Sequence, residues 1–272
     1  MKSATQTTNS RPAAAGAKAL RSSRYNRTLT AISIVVPAYN EQQRLPDTLA
    51  AISRYLSTKK DFQPEILVVD DGSSDSTRAA AETFASTCEN ARVRVLLNPG
   101  NRGKGYSVRH GMLEAAGDWV LFSDADLSAP IEELDKLFWD LRRLDAEIAI
   151  GSRAIDRSLI GVRQSAFREN AGRVFNLLMR LLTGLPFADT QCGFKLFSRR
   201  AAREVFRRVR IAGFGFDAEA LFIARRLGFR TIEVPVRWNH VEGTKVSMLA
   251  DSLNMFVDLL RIRYNQFRGL YK

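Results

Sequence analysis

The chain has 272 residues, 45% hydrophobic and 26% charged, with 17 Gly, 8 Pro and 2 Cys. That is globular composition, with room for one large α/β domain or two small ones. Two cysteines, Cys88 and Cys192, exclude a disulfide scaffold and a four-cysteine zinc site, and reduced thiols in a cytoplasmic setting are expected. The net charge of +12 is unevenly spread: residues 1–30 carry 6 basic and 0 acidic side chains, residues 31–150 carry 13 and 19, and residues 151–272 carry 22 and 10. An acidic block between basic ones predicts a cation held in one half and anions met in the other. A nucleic-acid binder is more often basic throughout its binding domain, so no nucleic acid is expected. The longest stretch free of Asp, Glu, Lys and Arg is Thr28 to Asn40, thirteen residues, and it is polar in part. A membrane-spanning helix needs about 18 apolar residues or more. No span and no secretory signal core are read.

Residues 1–30 read as a flexible basic tail. From Ile32 the pattern changes to short apolar runs alternating with helical periodicity. Ile32 to Pro37 is a buried strand, Pro46 to Ser57 a helix, and Glu65 to Val69 a strand. Asp75 to Ala85 is a helix, Val93 to Leu97 a strand, Gly105 to Ala115 a helix and Trp119 to Phe122 a strand. Pro130 to Leu144 is a helix and Glu147 to Ile150 a fifth strand. This rhythm predicts an α/β fold, a mostly parallel sheet flanked by helices, with ligands beyond the carboxyl ends of its strands. Later the rhythm breaks. Ala171 to Leu182 and Met248 to Tyr264 read as apolar helices bearing Arg. Between them lie a turn-rich segment from Asp189 to Phe197, a helix from Phe216 to Leu227 and a strand from Thr231 to Val236.

Three strand ends carry carboxylates: Glu41 after the first, Asp70, Asp71 and Asp75 after the second, Asp124 and Asp126 after the fourth. Converging on one crevice, they require a cation or hydrogen-bond donors. Asp124 and Asp126 sit two apart in a turn and can both offer oxygen to one hard divalent ion. The plain alternative makes Asp70 and Asp75 helix caps and Asp126 a turn residue. Gly100-Asn101-Arg102-Gly103-Lys104-Gly105 follows a strand, but its spacing is neither a dinucleotide fingerprint nor a P-loop. Lys104, at a helix start, is either a phosphate contact or a solvated turn residue. His110 and His240 are too far apart for a histidine metal site and read as packing or hydrogen-bonding residues. Cys192 has no paired His that would make it a nucleophile.

The ordered set VPAYNE, VVDDGSSDST, NRGKGYSVRHGM, FSDADLS and GSR resembles the family 2 inverting glycosyltransferases of GT-A fold. The later DTQCGFKLF, FDAE and EGTK segments are most similar to the polyprenyl-phosphate branch, in particular the dolichyl-phosphate β-glucosyltransferases. The resemblance runs from about Ile32 to Arg263. It implies that Pro37, Tyr39, Glu41, Val69, Asp70 and Asp71 form the pocket of a UDP-sugar donor, with Lys104, Ala125 and Arg153 alongside. It implies Mg²⁺ or Mn²⁺ held by Asp124 and Asp126, with Ser128 where mannosyl relatives often carry Gln. Arg153, Lys195 and Lys245 are implied contacts of an acceptor phosphate, and Asp217 a contact of the sugar, an orienting group, or simply the opening carboxylate of its helix. Asp124, Asp126 and Asp217 are the catalytic candidates.

The activity implied is metal-dependent transfer of glucose from UDP-glucose to dolichyl or polyprenyl phosphate, inverting α to β. Residues 31–245 would form the GT-A domain, with a donor half (31–153) and an acceptor half (154–245). Helix 171–182 and the amphipathic segment 246–272 would lie in an anionic membrane surface, attaching the protein peripherally to the cytoplasmic face. The alternatives are the same chemistry with GDP-mannose or a UDP-N-acetylhexosamine, and a non-catalytic binder of anionic lipid or nucleic acid. The paired carboxylates argue against the binder.

Overall fold

The structure, a computed structural model, describes residues 29–162, 179–239 and 248–272. β1 (Thr30–Ala38) is buried without a break from Ile32 to Ala38. A strand covered on both faces is what a parallel α/β sheet needs at its centre. Ile32, Ile34 and Val36 enter one apolar cluster and Val35 the other, the alternation of a strand. The remaining strands are β2 (Phe62–Asp70), β3 (Arg92–Leu97), β4 (Trp119–Ser123), β5 (Ile148–Ser152), β6 (Ile160–Val162), β7 (Phe194–Ser198), β8 (Thr231–Pro235) and β9 (Trp238–Asn239). Seven form one sheet, in the order β3-β2-β1-β4-β7-β5-β8, and β6 pairs with β9.

α1 (Leu45–Ser57) and α4 (Leu134–Leu144) cover one face through Leu49, Ile52, Leu137 and Leu141. α2 (Thr77–Thr87) adds Ala81 to the same cluster. α3 (Lys104–Glu114), α5 (Arg199–Phe206) and α6 (Phe216–Arg226) cover the other face, and α7 (Met248–Phe267) adds Leu259 and Ile262 there.

The five expected parallel strands and their helices are present, with bounds moved by a few residues. Two parts differ. Phe194–Ser198, read within a turn-rich segment, is a strand, antiparallel to both β4 and β5 and inserted between them. Its turn signals end at Gly193, and Phe194 and Leu196 then face one cluster while Phe197 faces the other. α5 was not expected at all, because Arg199, Arg200 and Arg203 mask the buried stripe of Ala201, Ala202, Val205 and Phe206. The sheet thus runs across the expected boundary at residue 153. Residues 179–183 are helical, whereas most of the expected helix 171–182, the tail through residue 28, and residues 240–247 with His240 and Lys245 lie outside the described residues. Among the described residues no helix is long and apolar enough to cross a membrane.

Candidate active site

The chain leaves β1 for β2 and β3 on one side, then returns to place β4 on the other. A crevice therefore opens between the carboxyl ends of β1 and β4, the position where open α/β sheets bind ligands. A cavity of about 390 Å³ lies there. Pro37, Tyr39 and Glu41 wall it on the β1 side, and Asp124, Ala125 and Asp126 on the β4 side. Lys104, from the first turn of α3, closes a third side.

The carboxylate turn is held by its backbone. The Asp124 amide donates to Gly193 O at 3.0 Å, and Leu127 N to Asp124 O at 3.2 Å. Thr48 Oγ1 donates to Ala125 O at 2.5 Å, and the Ser128 amide to Asp126 Oδ1 at 2.9 Å. Leu127 has φ 45°, a left-handed conformation costing roughly 1–2 kcal/mol in a non-glycine residue. Asp124 Oδ1 is buried, makes no well-aligned hydrogen bond among the described residues, and lies 2.7 Å from the ammonium of Lys104. Burial alone would lower the Lys104 pKa, but Asp124, then Asp217 and Asp126, outweigh it and raise it. Two carboxylates on one turn, one with an oxygen matched to a cation, fit a hard divalent ion. Ser128 sits on this turn, where its amide steadies Asp126. Among the described residues no third His, Cys, Asp or Glu joins a metal-binding group.

Three of the expected donor contacts have other tasks. Asp71 borders the cavity, yet its carboxylate is spent on the loop before α3. Oδ1 accepts from Asn98 Nδ2 at 2.7 Å and Arg102 N at 3.0 Å, and Oδ2 from Gly103 N at 2.8 Å. Asp70 accepts the Ser73 amide at 3.3 Å, a turn cap, and Val69 is buried in the core with α3. Asp75 also caps, accepting Thr77 N at 2.9 Å. His110 meets Asn98 through Nδ1 at 2.8 Å, a hydrogen-bonding role as expected.

Behind the cavity lie two further ion pairs. Arg153 forks onto Asp189 with Nε–Oδ2 at 2.6 Å and Nη2–Oδ1 at 2.9 Å, its guanidinium 5.4 Å from the Trp238 ring centre. Burial would lift the Asp189 carboxyl, but Arg153 overrides it and holds it at about 2. Lys195, on β7, is fully buried. Its ammonium donates to Cys192 O at 2.6 Å, pairs with Asp217 Oδ1 and lies 5.1 Å from the Phe122 ring centre. That corrects the expectation that Lys195 meets an acceptor phosphate: insertion of β7 between β4 and β5 turns its side chain inward. Asp217 does open its helix and is raised by burial, against the pull of Lys195. Glu219 is buried too, accepting from the amides of Arg210 and Ile211 and from Tyr271 Oη at 2.6 Å. Cys192 is a buried free thiol, pushed by burial up to about 12, so no thiolate is available.

The cavity also includes Arg44, Asn101, Ser107 and Phe214. Arg44 pairs with Glu41 at 2.8 Å, an i,i+3 spacing visible in the sequence. Phe214 arrives from more than 80 residues beyond Asp126.

Three comparisons with known proteins bear on this site. The family described as glycosyl transferase family 2 matches residues 33–206. A dolichyl-phosphate β-glucosyltransferase of Drosophila melanogaster is 39% identical over 251 residues, spanning 89% of this chain and 77% of that one. The Homo sapiens protein of that name is 36% identical over 251 residues, with 89% and 77% covered. Among solved structures, glucosyl-3-phosphoglycerate synthase of Mycobacterium tuberculosis, in complex with Mn²⁺, UDP and glucosyl-3-phosphoglycerate, superposes with TM-score 0.61 at 21% identity, covering 86% of this chain and 80% of that one. A mannosyltransferase of Pyrobaculum calidifontis in complex with GDP-Man and Mn²⁺ gives TM-score 0.55 at 20% identity, with 80% and 58% covered. At these identities the likeness is one of fold, the GT-A arrangement.

Proposed function

The chain belongs to glycosyl transferase family 2, and from that premise we propose that it transfers glucose from UDP-glucose to dolichyl or another polyprenyl phosphate, with inversion and with Mg²⁺ or Mn²⁺. The carrying observation is the cavity between β1 and β4, where Asp124 and Asp126 face Lys104. Asp124 and Asp126 would hold the ion beside the donor diphosphate. The ion supplies Lewis-acid stabilisation of the charge gathering on the departing nucleotide. Pro37, Tyr39 and Glu41 would border the nucleoside, and Lys104 the phosphates. The names of the relatives favour glucose and dolichyl phosphate.

In the reaction an oxygen of the acceptor phosphate forms a bond to the anomeric carbon. The bond from that carbon to the diphosphate oxygen breaks, and its electron pair leaves with UDP. A lipid phosphate is already ionised at neutral pH, so no proton need be removed and positioning carries the rate. This suits Asp217, which Lys195 engages and which is therefore a supporting group rather than a base. Arg153, oriented by Asp189 and still 30% exposed, is the described cation suited to the acceptor phosphate, with Lys245 as a further contact.

The acceptor stays in the bilayer, so the protein must go to it. On α7 the outward residues Phe256, Val257, Leu260, Tyr264 and Phe267 are exposed and apolar, with Arg261, Arg263 and Arg268 beside them. Such a helix lies in an anionic interface, giving peripheral attachment at the cytoplasmic face.

The test is transfer of radiolabelled sugar to polyprenyl phosphate in vesicles, comparing UDP-glucose, GDP-mannose and UDP-N-acetylglucosamine with and without EDTA. A butanol-extractable product from UDP-glucose alone, abolished by EDTA, is expected. Product from another donor overturns the sugar, and EDTA resistance overturns the metal.

A further inference from the structure

α7 has two unlike faces. Its outer face is the apolar stripe just described, while Leu259 and Ile262 are buried against the core. On the same buried side sits a carboxylate, Asp258, itself 5% exposed. A carboxylate on an apolar face is costly unless it is hydrogen-bonded. The Asp258 carboxylate packs against the backbone of Gly215, and its Oδ1 takes Arg261 Nη1 at 3.0 Å. Gly215 is the N-cap of α6 and has no side chain with which to cap it. Asp258 brings a carboxylate there from a different helix, to the positive end of the α6 dipole. The approach is close: a Cβ on Gly215 would lie 2.6 Å from Asp258 Oδ2, too near for any side chain.

The turn thus held is a wall of the donor cavity. Phe214 lines that cavity and lies 5.9 Å, ring centre to Nζ, from Lys104. At its other end, Ala212 O accepts Gly105 N at 2.7 Å and Tyr106 N at 3.3 Å, the first amides of α3 beside Lys104. One turn, residues 212–215, therefore joins the start of α3 to the start of α6, and its fastening is a side chain of α7.

We propose that Asp258 is a positioning residue for the donor pocket. Through Gly215 it sets Phe214 and the Lys104 end of α3, so that the helix carrying the apolar stripe also fixes the wall against which the donor rests. The inference rests on the proposed function only in taking UDP as the probe.

The full-length protein is tested as Asp258→Ala, Asp258→Asn, Gly215→Ala and Arg261→Ala. Amide exchange at Gly105, Tyr106 and Gly215 should accelerate about tenfold in Asp258→Ala and Gly215→Ala, as the turn held by this packing loosens. It should stay near wild type in Asp258→Asn, which keeps the shape packed against Gly215, and in Arg261→Ala. UDP affinity in Mn²⁺ should fall about tenfold in the first two, with donor KM rising and acceptor KM unchanged. A merely structural role would lower Tm without this split. Wild-type exchange and KM in Asp258→Ala overturn the proposal, as does Asp258→Asn behaving like Asp258→Ala. If the latter fails to fold, the contrast between Gly215→Ala and Arg261→Ala decides. If wild type binds no UDP while the exchange pattern holds, the donor reading falls and the positioning role stands.

Discussion

Gly193 lies flat against the carboxylate of Asp124. Its carbonyl accepts the Asp124 amide at 3.0 Å, and a Cβ built on it would overlap Asp124 Oδ1, Cγ and Oδ2. The segment that brings in β7 therefore shapes the carboxylate turn from behind, and only glycine leaves room for it.

Gly193→Ala should displace Asp124 while leaving the fold intact. Loss of about 100-fold in transfer rate is expected, the scale of a misplacement near 1 Å. Steady-state kinetics against Mn²⁺ concentration check this: the half-saturating Mn²⁺ should rise together with the fall in rate.

Lys195 and Asp217 form a buried pair, so removing one partner should be far worse than removing both. Lys195→Met alone is expected to cost about 3–5 kcal/mol by leaving Asp217 buried without its partner. The double variant Lys195→Met/Asp217→Asn should recover more than half of that in urea unfolding. Its KM for lipid phosphate should match wild type; a selective rise would instead return Lys195 to the acceptor site.

Asp189 carries an acid-stability signature. Burial opposes its ionisation, but Arg153 holds its folded pKa at about 2, below the ordinary 3.8. A depressed carboxyl contributes stability that is present above its unfolded pKa and is lost as pH falls through the folded one. The window is pH 4 to 2, and the contribution about 2 kcal/mol. Denaturant titrations across that window should show Asp189→Asn losing about 2 kcal/mol less than wild type between its ends.

Leu260→Ser with Phe267→Ser should weaken binding to anionic phospholipid vesicles about 100-fold, roughly tenfold for each buried apolar side chain removed. Co-sedimentation measures it. UDP affinity without vesicles should not change, and added salt should weaken the wild-type protein by screening the arginines.

The alternating strands and helices from Ile32 to Ile150 were legible because each strand is a continuous apolar run and each helix repeats its own period. Asp124 and Asp126 were legible because a buried strand leads straight into them. β7 was not, since its pairing is with strands more than 40 residues away in sequence, and its approach is antiparallel to a rhythm that predicts parallel strands. Asp71 was given a donor role by the resemblance, and the sequence does not show that the amides engaging its carboxylate come from a loop after the next strand.

By itself, then, the sequence determined the parallel half of the sheet, the carboxylate turn and the family, because these depend on periodicity, chain-local turns and an ordered set of motifs. Tertiary structure alone decided which way each charge faces. Lys195 points inward to Asp217, Arg153 is forked by Asp189, and Asp258 packs on Gly215 from another helix. The reason is electrostatic: a charge can be buried only where an opposite charge or a donor from elsewhere in the chain meets it, and that meeting is made by packing, not by spacing.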